Sequence, residues 1–407
     1  MPAAAAAGQS SAGGSGGGGG NPFQLATNLY CEKNNVGNLA STSISTSQTS
    51  GGGQINAGQY LRGVRLVVRA QASASVTTAN AATNDWPFNI LTGIDLVNVD
   101  GSEILYVMGG YAHYLRQKYG APWLGDPLTY GDAIAATTAL PQFTLFLQPE
   151  IRWTAGVLAN TDTRSQYRFD YSLDTIANIT GANGSSYNTA SQAPVVTVQP
   201  YMDAWAQPDA SDLQGTPNQP VPPGLNLQRK SRHQIFTMNA NASDNILQSA
   251  LTGNALRNQI FVHRNGGSVR SEGFTDPILW QLDNRSMGKI SVNDPGSAAG
   301  GTATTTGASN GDMVQNWMSE QYGEFFSSRV TGSTTTTVAC ARRELGVYVF
   351  PRFIKPGTLY GQGWLYTSNS TKETFEVTSG VSTSGTAELI SDEVYPVGPV
   401  DPQLTDI

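Results

Sequence analysis

Apolar and polar residues alternate along much of the chain, which is the pattern of half-buried β-strands. Val64, Leu66 and Val68 alternate with Arg65 and Arg69, so one face of this segment is apolar and the other is polar. Similar short segments predict strands at Leu91–Val97, Glu103–Met108, 143–147, 167–171, 195–198, 235–238, 259–262, 278–282, 346–350, 359–366 and 373–377. The dipeptide Asp100-Gly101 predicts a hairpin between the first two of these.

Two segments show the period of an amphipathic helix instead. The first ends at Gly120, shortly before Pro122, and places on one face Tyr111, Tyr114, Leu115 and Tyr119. The second follows a Gly-, Ala- and Thr-rich loop at 296–309 and repeats with Val314, Met318, Tyr322 and Phe325. Because the helices do not alternate with the strands, the order of elements favours two β-sandwiches in tandem over βαβ repeats.

Composition divides the chain into an arm rich in Gly and Ser at 1–56, a strand-rich block at 57–204, a Pro-rich linker at 205–230, a second strand-rich block at 231–385 and an acidic, Pro-rich tail at 386–407. An island of bulky apolar residues between Asn21 and Tyr30 interrupts the arm. This composition predicts an arm that is disordered in the free subunit and partly ordered in an assembled particle. The tail contains acids and no base, which predicts an extended conformation.

Charge argues against several classes of protein. The 407 residues include 23 Lys and Arg and 30 Asp and Glu, which gives a net charge of −7, and only 13% of them are charged. Proteins that bind nucleic acid through phosphate contacts carry a basic excess, so direct nucleic-acid binding is not expected. Coiled coils and helical bundles need a periodic sequence rich in Ala, Glu, Lys and Leu, which this chain does not have. The low density of charge indicates that much of the surface contacts other protein.

No segment contains 18 consecutive apolar residues, so no membrane-spanning helix is predicted. The start of the chain does not have the pattern of a signal peptide, since its apolar run from Ala3 to Ala7 is short and no Lys or Arg precedes Lys33. Cys31 and Cys340 are predicted to be free thiols, with a single bridge between them as the open alternative.

Candidate chemistry is sparse. The histidines His113, His233 and His263 are far apart and belong to no metal-binding or catalytic motif, so structural roles are expected. The tract at 8–20 formally contains the G-x-S-x-G and G-x-G-x-x-G patterns, but no strand and helix flank it. We therefore predict no catalytic, cofactor-binding or metal-binding residues and no cofactor. Calcium on loop oxygens stays open, because its ligands leave little trace in a sequence.

Other charged and aromatic residues have default structural interpretations. Solvated loop acids are expected at Asp203, Asp209, Asp212, Asp392 and Glu393. Contacts between subunits or with solvent are expected for Arg229-Lys230 with Arg232 and for Arg342-Arg343. Core positions are expected for Trp153, Trp205 and Trp280, with an exposed sugar-binding platform as the alternative.

Several stretches, taken in order, resemble the double jelly-roll major capsid proteins of tectivirus-like bacteriophages. They are the hairpin and helix that end in Gly120-Ala121-Pro122-Trp123, the strand 143–147 followed by Gly156-Val157-Leu158-Ala159-Asn160 and Ser165-Gln166-Tyr167-Arg168-Phe169, the loop Asn265-Gly266-Gly267-Ser268, and Gly346-Val347-Tyr348-Val349-Phe350 with Gly363-Trp364-Leu365-Tyr366. The likeness extends over residues 57–380. The arm departs from it, since the family's arm tends to be helical and this one is rich in Gly and Ser.

The resemblance implies an all-β fold of two tandem eight-stranded jelly rolls with a few short helices and flexible termini. It implies a structural coat protein and no enzyme, forming pseudo-hexagonal homotrimers that build an icosahedral shell around an internal membrane and a double-stranded DNA genome. The expected partners are copies of the same chain, neighbouring capsomers, penton, spike and minor capsid proteins, and the internal viral membrane beneath the N-terminal arm. The expected location is the capsid shell of the virion, after synthesis in the host cytoplasm.

Two other classes of function are alternatives. A carbohydrate- or receptor-binding β-sandwich, such as a viral spike protein, would present exposed aromatic rings. A β-sandwich glycosidase would place two carboxylates about 5 to 9 Å apart, and no motif in the sequence supports it.

Overall fold

The computed structural model describes residues 24–31, 35–38, 50–57, 59–71, 80–81, 85, 87–120, 133–134, 139–151, 156–175, 195–206, 227–239, 245–251, 253–266, 270, 274–290, 325–327, 330–331, 334–335, 339–341, 346–352, 364–368, 370–379 and 384–396. Several interpretations of the sequence fall outside these residues, and they concern the loop 296–309, the first three positions of the second helix (Val314, Met318 and Tyr322), Trp153, Asp209, Asp212, Arg342 and Arg343. The fourth position of that predicted helix, Phe325, was assigned wrongly, since it begins a strand that pairs with Ala341.

Strands dominate the described part of the chain. In chain order they are β1 (Gln24–Tyr30), β2 (Asn35–Asn38), β3 (Ser50–Gln54), β4 (Gln59–Gln71), β5 (Asn80–Ala81), β6 (Leu91–Val97), β7 (Glu103–Met108), β8 (Ala133–Ile134), β9 (Ala139–Leu147), β10 (Leu158–Asn160), β11 (Arg168–Leu173), β12 (Val195–Ala206), β13 (Leu227–Met238), β14 (Asn245–Ser249), β15 (Ala255–Arg264), β16 (Phe274–Leu282), β17 (Arg285–Ile290), β18 (Phe325–Ser327), β19 (Val330–Thr331), β20 (Thr334–Thr335), β21 (Ala339–Ala341), β22 (Val347–Pro351), β23 (Leu365–Tyr366), β24 (Glu373–Ser379) and β25 (Gly385–Pro396). One α-helix, α1 (Gly110–Gly120), and a short 3-10 helix, Phe88–Ile90, accompany them.

Three sheets contain most of these strands. A six-stranded sheet places β12 and β4 at its centre, with β1 and β2 beside β12 and β9 and β10 beside β4. A nine-stranded sheet has the order β22-β15-β25-β13-β7-β6-β11-β3, with β23 beside β15. A four-stranded sheet has the order β14-β24-β16-β17. The pairing between neighbours is antiparallel, except that β7 and β13 run parallel where Leu105 meets Ser231.

The first half of the chain buries the predicted apolar face of β4. Val64, Leu66 and Val68 are fully buried, whereas Arg65 is half-buried and Arg69 is exposed. These residues join the buried side chains of β6 and β11 from the nine-stranded sheet in one continuous apolar core. The alternation in the sequence therefore predicted this strand and its orientation correctly.

The second half has an aromatic core between the nine-stranded and four-stranded sheets. Phe261 of β15 lies at its centre, with ring centroids 4.9 Å from Phe375, 5.5 Å from Phe350 and 6.2 Å from Phe274. These three contacts are edge-to-face, the arrangement that aromatic quadrupoles favour. Because Phe375 and Phe274 belong to the four-stranded sheet, the cluster joins the two layers of a second sandwich.

The predicted hairpin and first helix are confirmed. β6 and β7 have the predicted bounds, and the turn between them places Gly101 at φ +85°, a conformation that costs glycine little. Oδ1 of Asp100 accepts hydrogen bonds from the backbone nitrogen and the hydroxyl of Ser102, at 2.8 and 2.6 Å. Helix α1 ends at Gly120, as its sequence predicted.

The outer parts of the chain differ from the expectation. Part of the N-terminal arm forms strands in the single chain: β1 pairs with β12 and β3 pairs with β11, and Cys31 is fully buried as a free thiol. The linker is shorter than expected, because β12 continues to Ala206 and β13 begins at Leu227. These segments are held by backbone pairing with strands that are distant in sequence. A local sequence pattern does not predict such pairing, which is why the expectation differed.

The acidic C-terminal segment also differs from the expected extended tail. Residues 385–396 form β25, a central strand of the nine-stranded sheet that lies between β13 and β15. Two of its acids, Asp392 and Glu393, are each only 2% exposed. The tail interpretation was wrong for this segment because the arginine and asparagine side chains that contact these acids come from strands far away in sequence.

Within the described residues, helix α1 is the longest helix, and none has the length and apolar character that crossing a membrane requires.

Candidate functional site at the junction of the two halves

Helix α1 lies between the two halves of the chain. It contacts β6 and β9 of the first half and β15 and β25 of the second half. Ten of its eleven residues are buried, including the polar residues His113, Arg116 and Lys118. A helix that is buried all round is a packing element of the interior. The helix is therefore one of the links between the two halves, together with the pairing of β7 and β13.

The C-terminal end of α1 meets a group of buried charged side chains, here called the junction cluster: Arg116, Arg229, Arg257 and Asp392. Each is 1 to 2% exposed. Arg229 donates to both carboxylate oxygens of Asp392, at 2.6 and 2.8 Å, and Arg257 donates to Oδ2 at 3.1 Å. Nε of Arg116 lies 3.8 Å from Oδ1 of the same carboxylate. The bidentate geometry of Arg229 is the stronger type of buried ion pair.

The same arginines cap the helix. The carbonyl of Gly120 accepts hydrogen bonds from Arg229 at 3.2 Å and from Arg257 at 3.4 Å, and the carbonyl of Tyr119 accepts one from Asn258 at 3.2 Å. The last carbonyls of a helix have no partner within the helix and carry partial negative charge. Cations from β13 and β15 therefore stabilise the end of a helix that belongs to the first half.

The junction cluster lowers the pKa of both Asp392 and Arg116, which favours the charged form of the acid and disfavours the charged form of the arginine. Burial alone would raise the pKa of Asp392, but the charges of Arg229 and Arg257 hold it below its usual value. Burial and the neighbouring charge of Arg229 lower the pKa of Arg116 well below its usual value. The carboxylate is thus stabilised in its charged form, whereas the guanidinium of Arg116 is not.

A second ionic group, here called the Asp85 cluster, also joins the halves. Asp85 of the first half pairs with Arg264 at 2.6 Å and with Arg270 at 2.8 Å. Glu388 of β25 pairs with Arg264 at 2.5 Å and with His233 at 3.3 Å. Two acids and two arginines balance each other here, so the Asp85 cluster resembles a closed salt-bridge network.

The three histidines do not come together. His113 is buried on α1 and contacts the carbonyl of Ile94 at 2.9 Å, and burial lowers its pKa to about 3. His263 is fully buried in β15, where its ring makes an edge contact with Phe274. No group of three or more His, Cys, Asp or Glu side chains with metal-binding geometry occurs within the residues described above. The histidines have the positions expected of structural residues.

Two of the three tryptophans considered as a sugar-binding platform are held by polar contacts. The indole nitrogen of Trp205 donates to Glu150 at 2.8 Å, and that of Trp280 donates to Glu373 at 3.1 Å. The guanidinium of Arg352 lies 3.9 Å from the ring centroid of Trp280. A guanidinium this close covers one face of the ring, which argues against an open stacking surface for sugar there.

Three of the five acids expected in solvated loops lie in buried strand positions instead. Asp203 of β12 is fully buried and pairs with Arg65 at 2.8 Å. Asp392 belongs to the junction cluster, and Glu393 accepts a hydrogen bond from Asn254 at 2.6 Å. The expectation was wrong for these residues because each is compensated by a partner from a distant part of the chain.

Sequence reasoning missed most of the junction. The sequence predicts no role for Arg116, Arg257, Asp85, Arg264 or Arg270, and it assigns Arg229 to subunit contacts or solvent. The available signal was weak: Arg116 lies on an otherwise aromatic helix, and Arg257 lies beside a predicted strand. A sequence does not show which distant acid such an arginine meets.

Strand β1 lies at the edge of its sheet and carries exposed apolar side chains. Leu25 is 50% exposed and Tyr30 is 62% exposed, and β1 contains no charged residue and no proline. Within the described residues, β1 pairs with β12 on one side only. Sheet edges without charge or proline tend to pair with further protein. This edge is therefore a candidate contact surface.

No family model and no curated protein matches the sequence. Solved structures match over most of its length. The major capsid protein of Sulfolobus turreted icosahedral virus superposes with a TM-score of 0.58 and 11% identity, over 94% of this chain and 100% of that chain. A capsid model of the virus PBCV-1 superposes with a TM-score of 0.52 and 10% identity, over 92% of this chain and 94% of that chain.

These superpositions and the sheets described above give the class of fold. The chain is an all-β protein with the double jelly-roll fold of these viral capsid proteins. At 10 to 11% identity the likeness is one of fold.

Proposed function

We propose that this chain is a structural major capsid protein, located in the capsid shell of a virion, and that it is not an enzyme. The observation that carries this proposal is the superposition on viral capsid proteins over more than nine-tenths of both chains. A likeness that includes both halves and their junction is more informative than one between single sandwiches, because sandwiches serve many functions.

We further propose that three copies form a pseudo-hexagonal capsomer, as the resemblance to tectivirus-like bacteriophages implies. Two sandwiches in each chain give six in a trimer, and a near-hexagonal unit covers a shell with few types of contact. In this proposal the shell surrounds an internal membrane and a double-stranded DNA genome. Penton, spike and minor capsid proteins are its further partners.

The structure supports a role in which contact surfaces matter more than a reactive site. Most of its buried acids are paired with arginines, as Asp392 is with Arg229, Asp85 with Arg264 and Glu150 with Arg62. The open edge of β1 adds exposed apolar area without charge. Both features suit a rigid subunit that is covered by its neighbours.

Electron microscopy of the purified chain tests the proposal. We expect closed shells, or flat arrays with hexagonal spacing, under conditions that promote assembly. Isolated particles that bind immobilised glycans and never assemble would favour the alternative of a receptor-binding spike. A substitution of Leu25→Asp on the exposed edge should reduce assembly while leaving the circular dichroism spectrum unchanged. Thr27→Asp, at a second exposed position of the same strand, is the matched variant for added charge alone.

A further inference from the structure

Arg116 has an unusual position among the buried arginines of the junction. Its side chain is 1% exposed, and Nε lies 3.8 Å from the carboxylate of Asp392. Both oxygens of that carboxylate already accept hydrogen bonds from Arg229. The terminal nitrogen of Arg116 donates to the carbonyl of Gln148 at 2.8 Å. Nε itself has no hydrogen-bond partner among the described residues.

A buried guanidinium in this position is costly. Arginine stays protonated in proteins, so it does not relieve the cost by losing its charge. The pKa of Arg116 is lowered by burial and by the charge of Arg229, with Asp392 opposing the shift only in part. A buried charge without full compensation is strongly destabilising. The site therefore favours additional negative charge.

A second buried donor faces the same region. Ser231 of β13 is fully buried, and its hydroxyl has no hydrogen-bond partner among the described residues. Ser231 lies directly opposite Asp392 in the register of β13 and β25, so the two side chains share one face of the sheet. Arg116 approaches Asp392 from helix α1 on that face. Two buried donors thus flank one carboxylate that Arg229 already neutralises.

We propose that the junction binds a small monovalent anion, of which chloride is the physiological example, between Nε of Arg116 and the hydroxyl of Ser231. Both groups donate hydrogen bonds, and the guanidinium supplies the positive charge that an anion requires. Binding would complete the compensation of Arg116 and fasten helix α1 to β13 and β25. The ligand would act within the subunit and would not depend on assembly.

The packing around the cluster limits the size of the ion. A Cβ atom added at Gly120 would lie 2.7 Å from Arg229 and 3.1 Å from Asp392, so a bulky ligand would be excluded on that side of the cluster. Phosphate or sulfate would need room for four oxygens and their own donors. Because the two donors here without a partner among the described residues are one guanidinium nitrogen and one hydroxyl, the site suits a single-atom anion better than an oxyanion.

The test is equilibrium unfolding of the isolated full-length subunit in sodium chloride and in sodium gluconate at equal ionic strength. A ligand that binds only the folded state stabilises it in proportion to log[ligand] once the site is occupied. We expect the unfolding midpoint to rise with chloride concentration and not with gluconate. Bromide should act like chloride and should give an anomalous scattering peak beside Arg116 in crystals. Equal midpoints in chloride and gluconate would overturn the proposal.

Two variants make the test specific. Ser231→Ala removes one donor from the anion and should weaken the apparent chloride affinity about tenfold, the loss expected for one hydrogen bond to a charged group. Arg116→Gln should abolish the chloride response. Arg168→Gln is the matched control, since Arg168 is 54% exposed and its ion pair with Asp170 lies on the surface. If Arg116→Gln does not fold, Ser231→Ala decides alone, and an unchanged chloride response in Ser231→Ala would refute the site.

Discussion

At the scale of single residues, Asp392 shows how a charged group is tolerated in the interior of this protein. Its carboxylate is held by Arg229 and Arg257, which come from strands more than 130 positions earlier in the chain. Burial opposes the charge of Asp392, and the two arginines more than offset that effect on its pKa. Asp392 and its arginines therefore depend on each other, because the acid or the arginines alone would be buried charges without compensation.

Replacing Asp392 by asparagine should strongly destabilise the chain. The substitution keeps the shape of the side chain and removes the negative charge, so the buried guanidiniums of Arg229 and Arg257 lose their shared partner. We expect the free energy of unfolding to fall by about 3 to 5 kcal/mol. Urea-induced unfolding monitored by tryptophan fluorescence would measure it.

Asp162→Asn is the control for Asp392→Asn. Asp162 is exposed and accepts a hydrogen bond from the backbone nitrogen of Arg164, which asparagine can also accept. We expect its free energy of unfolding to change by less than about 0.5 kcal/mol. Equal effects of the two substitutions would contradict the role assigned to Asp392.

Asp95 and Asp392 change the pH dependence of stability in opposite directions, because folding raises the pKa of Asp95 and lowers that of Asp392. Partial burial, then the charges of Asp170 and Glu103, raise its pKa from 3.8 to about 6. The folded state therefore binds this proton more tightly than the unfolded state does. The contribution of this proton to the free energy of unfolding is present at low pH and is lost as the pH rises from about 4 to about 6.

Asp95→Asn should stabilise the protein at pH 7, because it removes a charge that its surroundings disfavour. The full shift corresponds to about 3 kcal/mol. Since the side chain is only half-buried, solvent screening reduces the expected gain to about 1 kcal/mol. Thermal unfolding at pH 7 and at pH 4 measures it, and the gain should disappear at pH 4. A lower melting temperature of the variant at pH 7 would show that the environment of Asp95 does not disfavour its charge.

At the scale of elements, β1 connects the N-terminal region to the fold. It pairs with β12, and Cys31, the residue that follows β1, is 1% exposed in the core. Removal of residues 1–23 should leave the free energy of unfolding nearly unchanged, because this segment is mostly Gly, Ser and Ala. Removal of residues 1–31 should lower it by about 2 to 4 kcal/mol through loss of buried apolar contacts. Denaturant unfolding of both truncations gives the comparison, and equal stabilities would show that β1 contributes nothing in the free subunit.

The C-terminal strand should be far more sensitive to truncation. β25 lies between β13 and β15 and carries Asp392 of the junction cluster. A chain that ends at Pro396 should fold as the full-length chain does, whereas a chain that ends at Ser384 should not fold. Far-ultraviolet circular dichroism and solubility of the two products would test this. A folded product that ends at Ser384 would mean that the nine-stranded sheet forms without its central strand.

At the scale of the whole molecule, the two sandwiches share one sheet and one buried helix. β7 of the first half pairs with β13 of the second, and α1 contacts both halves. This shared pairing and shared helix favour movement of the two halves as one piece. In the proposed capsid, a rigid subunit would lose little conformational entropy on assembly.

The proposed capsomer predicts a trimer in solution. Head-to-tail contacts around a threefold axis close into a ring, which leaves no free contact of that type. Native mass spectrometry of dissociated capsomers should show a mass close to three times 43.1 kDa. A dominant monomer or dimer at concentrations where shells form would contradict the trimer.

The sequence by itself determined the elements whose signals are local. Alternation fixed the face of β4 that is buried, the Asp100-Gly101 pair fixed the turn between β6 and β7, and Gly120 fixed the end of α1. Each of these depends on neighbours within a few residues, since backbone geometry and the periods of strand and helix act over that range.

Only the tertiary structure decided the junction and the ends of the fold. Sequence reasoning left Arg116 unremarked, placed Asp392 in a solvated tail and placed Tyr30 in a disordered arm, whereas the structure brings the first two together and puts Tyr30 in a paired strand. Whether a charged residue faces water or a partner depends on which distant strands become neighbours. That arrangement is set by the free energy of the whole chain, because a buried charge is tolerable only where a partner, often far away in sequence, arrives at the same place, as Arg229 does beside Asp392.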